Sequence, residues 1–226
     1  RAGDLQDQGR YFEVVQLADW ITKLEPTSTE VWAFHAWNMA YNISIMFPEG
    51  ADRWRWVQHG LHLLRNEGLR YNPGDSRLYW ELGWIYEDKI GGMVEEFSPY
   101  YSRQLAVEME AFFPGGRWNP QGLAQRPEQE RMLLEELQLL PAILTAIDRE
   151  FGPLDWRLPE SHSLYWAWRG AEVAGATPSA ACDRMMYLSI CKLFEEGRLV
   201  FLPARGQYVR LPMLELRAAV VKVFDQ

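Results

Sequence analysis

Pro73-Gly74-Asp75-Ser76-Arg77-Leu78-Tyr79-Trp80-Glu81-Leu82-Gly83-Trp84-Ile85-Tyr86 is the stretch that decides the fold class. Pro73 ends any helix arriving from upstream, because its ring clashes with a continuing helical turn. Asp75 or Ser76 can then accept hydrogen bonds from the first free amides of a new helix. Within that helix Tyr79, Leu82, Gly83 and Tyr86 recur at spacings of three and four, which place them on one face. A small residue between bulky ones lets a second helix approach closely, while the rings fill the grooves beside it. The stretch therefore predicts a helix made to pack against another helix.

The same pattern recurs elsewhere. A proline, five residues and an aromatic occur at Pro26 to Trp32, Pro73 to Tyr79 and Pro159 to Tyr165. The tripeptide Leu78-Tyr79-Trp80 returns as Leu164-Tyr165-Trp166. Thr27 to Thr29 and Ser161 are the cap candidates after the first and third prolines. Repeats at such a period are the mark of stacked helical units.

Working outward, helices are expected at 4–24, 28–46, 51–70, 76–89, 97–112, 127–149, 161–173 and 178–196. Phe47-Pro48-Glu49-Gly50, Gly91-Gly92 and Phe113-Pro114-Gly115-Gly116 are breaks. Residues 114–127 form the longest connector, and Trp118 suggests that it packs down. Near the end, residues 198–202 and 208–211 flank a Gly-containing turn and predict a β-hairpin. A last helix over 213–225 would follow Pro212. Hairpin and helix together would cap the open end of a stack, whose final apolar face needs shielding. The chain thus divides into repeats at 1–113, a connector at 114–127, a divergent helical region at 128–197 and a cap at 198–226.

Tyr79, Leu82, Gly83 and Tyr86, with Pro73 closing the preceding unit, resemble the first helix of a tetratricopeptide repeat (TPR). Trp32 and Ala36 match more loosely, with Met39 where an aromatic is expected. Gly9-Arg10-Tyr11 leading through Val14, Ala18 and Ile21 to Pro26 looks like a second helix whose first helix lies upstream of Arg1. The third unit departs from the pattern, since Arg169 takes the small-residue place and Gly170 follows it. The match is best over residues 5–112. The resemblance implies an all-α, TPR-like α-solenoid of antiparallel helix pairs that binds a segment of another protein in its concave groove. Trp37 to Asn42 and Gly152 to Arg157 are also similar to bacterial TPR proteins in which such a stretch follows an N-terminal membrane anchor. That likeness implies membrane contact only through a segment outside this chain.

Composition narrows the function classes. Hydrophobic residues make up 48% of the chain and charged residues 24%, which is a globular balance. A net charge of −8 argues against a nucleic-acid partner, which needs a basic surface to neutralise phosphates. Arg53, Arg55, Arg65 and Arg70 at helical spacing read as a solvated face. The 11 Trp residues suit a repeat protein, because one ring covers much apolar area between helices. Cys182 and Cys191 on one helix would lie about 13 Å apart along its axis, too far to pair. They read as buried free thiols.

No pattern of residues carries chemistry. His59 and His62 are three apart, but no third ligand follows at metal spacing. Glu95 and Glu96 point about 100° apart on a helix, so they cannot serve one site. They read as solvated, as do Glu108 and Glu110. Ser161-His162-Ser163 lacks a nucleophile elbow, and no glycine-rich phosphate loop is present. The expectation is a protein without catalytic residues, metal or cofactor.

The groove candidates are Trp37, Asn38, Tyr41 and Asn42 from one unit, with Glu81, Trp84 and Lys89 from the next. Asn38 and Asn42 offer donor and acceptor to a peptide backbone; equally, they can be amides satisfied within the stack. Asp155-Trp156-Arg157 is the loop candidate, either a recognition hot spot or a pin that holds its own loop. The alternative function is a structural subunit of a larger, membrane-attached assembly or filament.

Overall fold

The computed structural model describes residues 11–175, 179–195, 200–202 and 207–209. Ten helices make up nearly all of it. α1 is Tyr11–Leu24. α2 starts at Thr29–Trp37 and runs on through Asn38–Ile43 and Ser44–Met46. α3 is Gly50–His62, continued by Leu63–Gly68 and Leu69–Tyr71. α4 is Ser76–Trp84, continued by Ile85–Ile90. α5 is Ser98–Glu110. The short α6 and α7 are Pro120–Ala124 and Pro127–Glu135. α8 is Pro141–Phe151, α9 is Pro159–Ala174 and α10 is Ala180–Glu195. Strands β1 (Val200–Leu202) and β2 (Gln207–Val209) pair antiparallel, with Phe201 opposite Tyr208. The turn between them, and the expected helix over 213–225, lie outside the described residues.

The aromatic after each proline has a local task in two of the three motifs. Trp32 Nε1 donates to the Pro26 carbonyl at 2.9 Å, and the Tyr79 hydroxyl donates to the Pro73 carbonyl at 3.0 Å. Each ring thus folds back onto the turn that starts its own helix and satisfies a carbonyl there. The third motif differs. Pro159 is itself the first residue of α9, where its missing N–H costs nothing. The Tyr165 hydroxyl reaches elsewhere, to the Gln138 carbonyl and the Leu140 amide. Asp75 caps α4 through the Arg77 amide at 2.9 Å. Ser28 makes no such side-chain bond before α2, and Ser161 donates to the Asp155 carbonyl and does not cap α9.

The helix expected over 127–149 is two helices. Pro141 starts α8, because a proline inside a helix removes a hydrogen bond and clashes with the preceding turn. The break at 136–140 is tightly held. Gln138 adopts φ 49°, a left-handed conformation that strains a residue with a side chain. Its carbonyl accepts from Tyr165, and its side chain donates to the Arg65 carbonyl at 2.7 Å. The connector at 114–127 is also ordered. It contains α6, and Trp118 Nε1 donates to Thr145 at 2.9 Å.

Packing follows small residues. A Cβ added at Gly60 would lie 2.8 Å from the Ala36 carbonyl oxygen, so α2 and α3 touch backbone to backbone. The most extensive packing joins α4 to α9, which are far apart in sequence. Gly83 lies against Ser163, Tyr79 against Trp166 and Ser76 against Gly170, so the two helices run antiparallel. α10 then packs on α9 and on α4. One core of buried residues runs from Trp32 to Leu193, and the expected segments 1–113 and 128–197 share it.

Three consecutive long helices each contain a wide turn. The amides of Ser44, Leu69 and Gly91 bond to the carbonyls of Met39, Leu64 and Tyr86, five residues back. Such π turns widen the helix, are rare and often accompany functional sites. Here they let consecutive residues be buried together: Leu63, Leu64 and Arg65 in α3, and Ile85, Tyr86 and Glu87 in α4.

Candidate functional site

The α2 candidates and two of the α4 candidates gather in one cluster. Trp37 and Tyr41 stack with ring centroids 5.6 Å apart. Asn42 donates to Asn38 Oδ1 at 2.9 Å, which engages that oxygen within the stack. Asn38 is fully buried, which removes it from any groove surface. Lys89 is buried too. Its ammonium pairs with Glu95 and lies 5.4 Å from the Tyr41 ring centre and 5.8 Å from that of Tyr101. An ammonium enclosed by a carboxylate and two ring faces is well satisfied. Burial raises the Tyr41 hydroxyl pKa, and the carboxylates of Asp88, Glu81 and Glu95 add to the rise. Asn38 and Lys89 are thus structural supports beneath the half-exposed Trp37, Tyr41 and Asn42.

Trp84 leaves that cluster. It stacks on Trp80 at 5.5 Å and faces α10. With Ala181, Arg184, Met185 and Leu188 the two indoles line a mostly apolar cleft of about 380 Å³. Behind it lies a buried polar chain. Ser189 donates to Glu87 and accepts from the Ser163 hydroxyl at 3.1 Å, and Lys192 pairs with Glu87 at 2.8 Å. This chain ties α4, α9 and α10 together behind the indoles. Glu81 meets Arg77 at 3.8 Å, and burial raises its carboxyl pKa.

Asp155-Trp156-Arg157 is a pin, not an exposed hot spot. Trp156 is 0% exposed and packs against Phe113 at 5.9 Å. Its Nε1 donates to Asp148 at 3.0 Å, and its amide donates to the Gly116 carbonyl at 2.9 Å. Asp155 accepts from Arg157, which also pairs with Glu110 at 2.9 Å. Gly116 has φ 77°, and a Cβ there would meet Asp155 Oδ1 at 2.0 Å, so only glycine fits this turn. Burial pushes the Asp148 pKa up to about 6, against the hydrogen bonds from Leu154 and Trp156. His162 stacks on Tyr86 at 4.9 Å, and its Nε2 meets the Trp156 carbonyl at 2.9 Å. A carbonyl only accepts, so this nitrogen carries the proton. Burial lowers the His162 pKa to about 4.

The expectation of a solvated arginine face fails at two positions. Arg53 donates to the Phe47 carbonyl at 2.6 Å and lies 4.1 Å over the Phe97 ring. Arg65 is 9% exposed. Glu108 is also no surface carboxylate. Its Oε1 accepts from Trp54 Nε1 and Gln58 Nε2, both at 2.8 Å. These residues line a second cavity, with Tyr86 on its wall and the exposed His59 and His62 at its edge. Glu95, expected to be solvated, is drawn inward by Lys89. Cys182 is a buried free thiol, and Cys191 is a half-buried one. Among the described residues, no group of three or more His, Cys, Asp or Glu side chains stands together as a metal site would require. No described helix is long and apolar enough to cross a membrane.

Compared with protein families, with curated proteins and with solved structures, the chain finds no match in any of the three.

Proposed function

We propose that this protein is a non-catalytic, TPR-like scaffold that holds a segment of another protein. The helices form antiparallel pairs in a stack, with residues 91–158 inserted between the two helices α4 and α9. The short hairpin packs on α8 through its second strand. The observation that carries this reading is the cleft between α4 and α10. Trp80 and Trp84 are stacked, half-buried and supported from behind by a satisfied polar chain. Rigid indoles beside Arg184 and apolar side chains are the composition of a recognition hot spot. The α2 surface of Trp37, Tyr41 and Asn42 extends the bait-contacting area on the other side of α4.

The test is capture of partner proteins from the native cell with the purified chain and with Trp80→Ala/Trp84→Ala. The double variant is expected to lose the captured band while keeping its helical circular dichroism. Equal capture by both proteins would overturn the reading.

One observation favours a second reading, a permanent subunit of a larger and membrane-attached assembly. Trp20, Leu24 and Val107 are more than half exposed, as is Tyr187 on α10. Apolar surface of this kind is commonly covered in obligate assemblies. The mass of the purified chain in solution decides: a monomer supports the scaffold, and an obligate oligomer supports the subunit.

A further inference from the structure

α3, α4 and α5 enclose a cavity of about 230 Å³ whose wall carries the guanidinium of Arg65 and the carboxylate of Glu108. Arg65 is delivered there by the π turn Leu63–Gly68, which buries three consecutive residues of α3. Its Nε donates to Asn66 at 3.1 Å and its guanidinium meets the Tyr86 hydroxyl, while Glu108 and Glu136 act on it only at a distance, with no ion pair within 4 Å among the described residues. Glu108 is held away from it by Trp54 and Gln58, at 2.8 to 2.9 Å. A guanidinium and a carboxylate therefore share one cavity without touching.

Folding alone does not favour that arrangement. A buried charge costs several kcal/mol unless it is paired. The surroundings hold the two groups apart. Trp54 and Gln58 fix the carboxylate from α3. The break at 136–140 fixes the other side, because Gln138 donates to the Arg65 carbonyl and Asn66 donates to the carbonyls of Glu135 and Glu136. Leu137, from the same break, closes one wall of the cavity. The strained φ of Gln138 is thus held at the edge of this cavity, where strain is a common companion of binding.

We propose that this cavity binds a small aminocarboxylate of the α-amino-acid class. The ligand carboxylate takes the forked donors of Arg65, which match it two to two. The ligand ammonium takes Glu108, whose oxygens are already fixed in place. The Tyr86 hydroxyl beside Arg65 supplies a further polar contact. A cavity of about 230 Å³ suits a single free amino acid and not an extended peptide. The inference does not depend on the α4–α10 cleft and uses none of its residues.

The experiment is thermal unfolding of the full chain with free L-amino acids, each at millimolar concentration. The control arms are the corresponding amines without carboxylate, the acids without amine, inorganic phosphate and short peptides. At least one amino acid is expected to raise Tm in a dose-dependent way, with its amine and acid counterparts weaker by about tenfold or more. Arg65→Met is expected to keep or raise the Tm of the unliganded protein, because it removes a buried charge that has no directly bonded carboxylate, at similar volume. The same variant should abolish the ligand response. Arg65→Lys keeps the charge but loses the fork, and should weaken the response; Glu108→Gln should weaken it for the zwitterion alone. The proposal is overturned if no amino acid raises Tm, if only phosphate or a peptide does, or if the response survives in Arg65→Lys and Glu108→Gln.

Discussion

Leu78-Tyr79-Trp80 on α4 and Leu164-Tyr165-Trp166 on α9 are the same three residues in two different situations. Leu and Tyr are buried in both. Trp80 is half-buried in the cleft toward α10, whereas Trp166 is 0% exposed and packs edge-on against its neighbour Tyr165 at 5.1 Å. The Tyr79 hydroxyl donates to the local Pro73 carbonyl at 3.0 Å and makes only a long contact, 3.5 Å, with Arg169 of α9. The Tyr165 hydroxyl bridges to the break at 136–140, a distant part of the chain. A repeated tripeptide therefore sets which side of a helix is apolar. It does not set what that side meets.

The largest test of the contrast removes each indole in turn. Trp166→Ala is expected to cost about 3–5 kcal/mol, the range for emptying a large buried aromatic site. Trp80→Ala is expected to cost about 1 kcal/mol, since the ring is half in solvent. Denaturant unfolding of both variants measures this, and equal losses would end the distinction.

The second test uses pH and the two histidines buried on opposite sides of the contrast, His35 in α2 and His162 in α9. Burial lowers both to about 4. Their stabilising contribution is complete above the unfolded value near 6.5 and is lost as pH falls from there toward 4. Each histidine corresponds to on the order of 3 kcal/mol. Asp148 acts in the opposite sense, because its raised value near 6 favours the folded protein at lower pH over part of the same window. The net expectation is a fall in stability between pH 6.5 and 4, shallower in His162→Gln than in the parent chain. An unchanged slope in that variant would show that His162 does not titrate as a buried neutral ring.

The smallest effect separates the two hydroxyls. Tyr165→Phe leaves the Leu140 amide and the Gln138 carbonyl without their partner, and is expected to cost about 1–3 kcal/mol. Tyr79→Phe removes a bond to a carbonyl in an exposed turn and a long contact from Arg169, and about 1 kcal/mol is expected. Hydrogen exchange at Leu140 should accelerate in the first variant only.

Much of the helical framework was legible, because its signals are local. Pro73 with Asp75, the 3–4 spacing of Tyr79, Leu82, Gly83 and Tyr86, and the break at Gly91-Gly92 each act within a turn or two. Pro141 was equally local, and the strength of the surrounding periodicity masked it. The site was less legible. Trp84 and Tyr41 can be chosen as surface aromatics from the pattern, yet they lie on different sides of α4. Asn38, Lys89 and Arg65 are polar residues whose burial no periodicity announces, since each lies in a π turn that shifts the helical phase by part of a turn.

By itself the sequence determined that this chain is helical, where most helices begin and end, and that Gly83 allows a second helix to approach. Those outcomes depend on dihedral preference, capping and side-chain size within a few residues. Only the tertiary structure decided that α9 packs on α4, that Trp156 is sealed in, and that Arg65 and Glu108 line one cavity. Each of these joins residues far apart along the chain, and burial is a property of the surface that arrives from the other side.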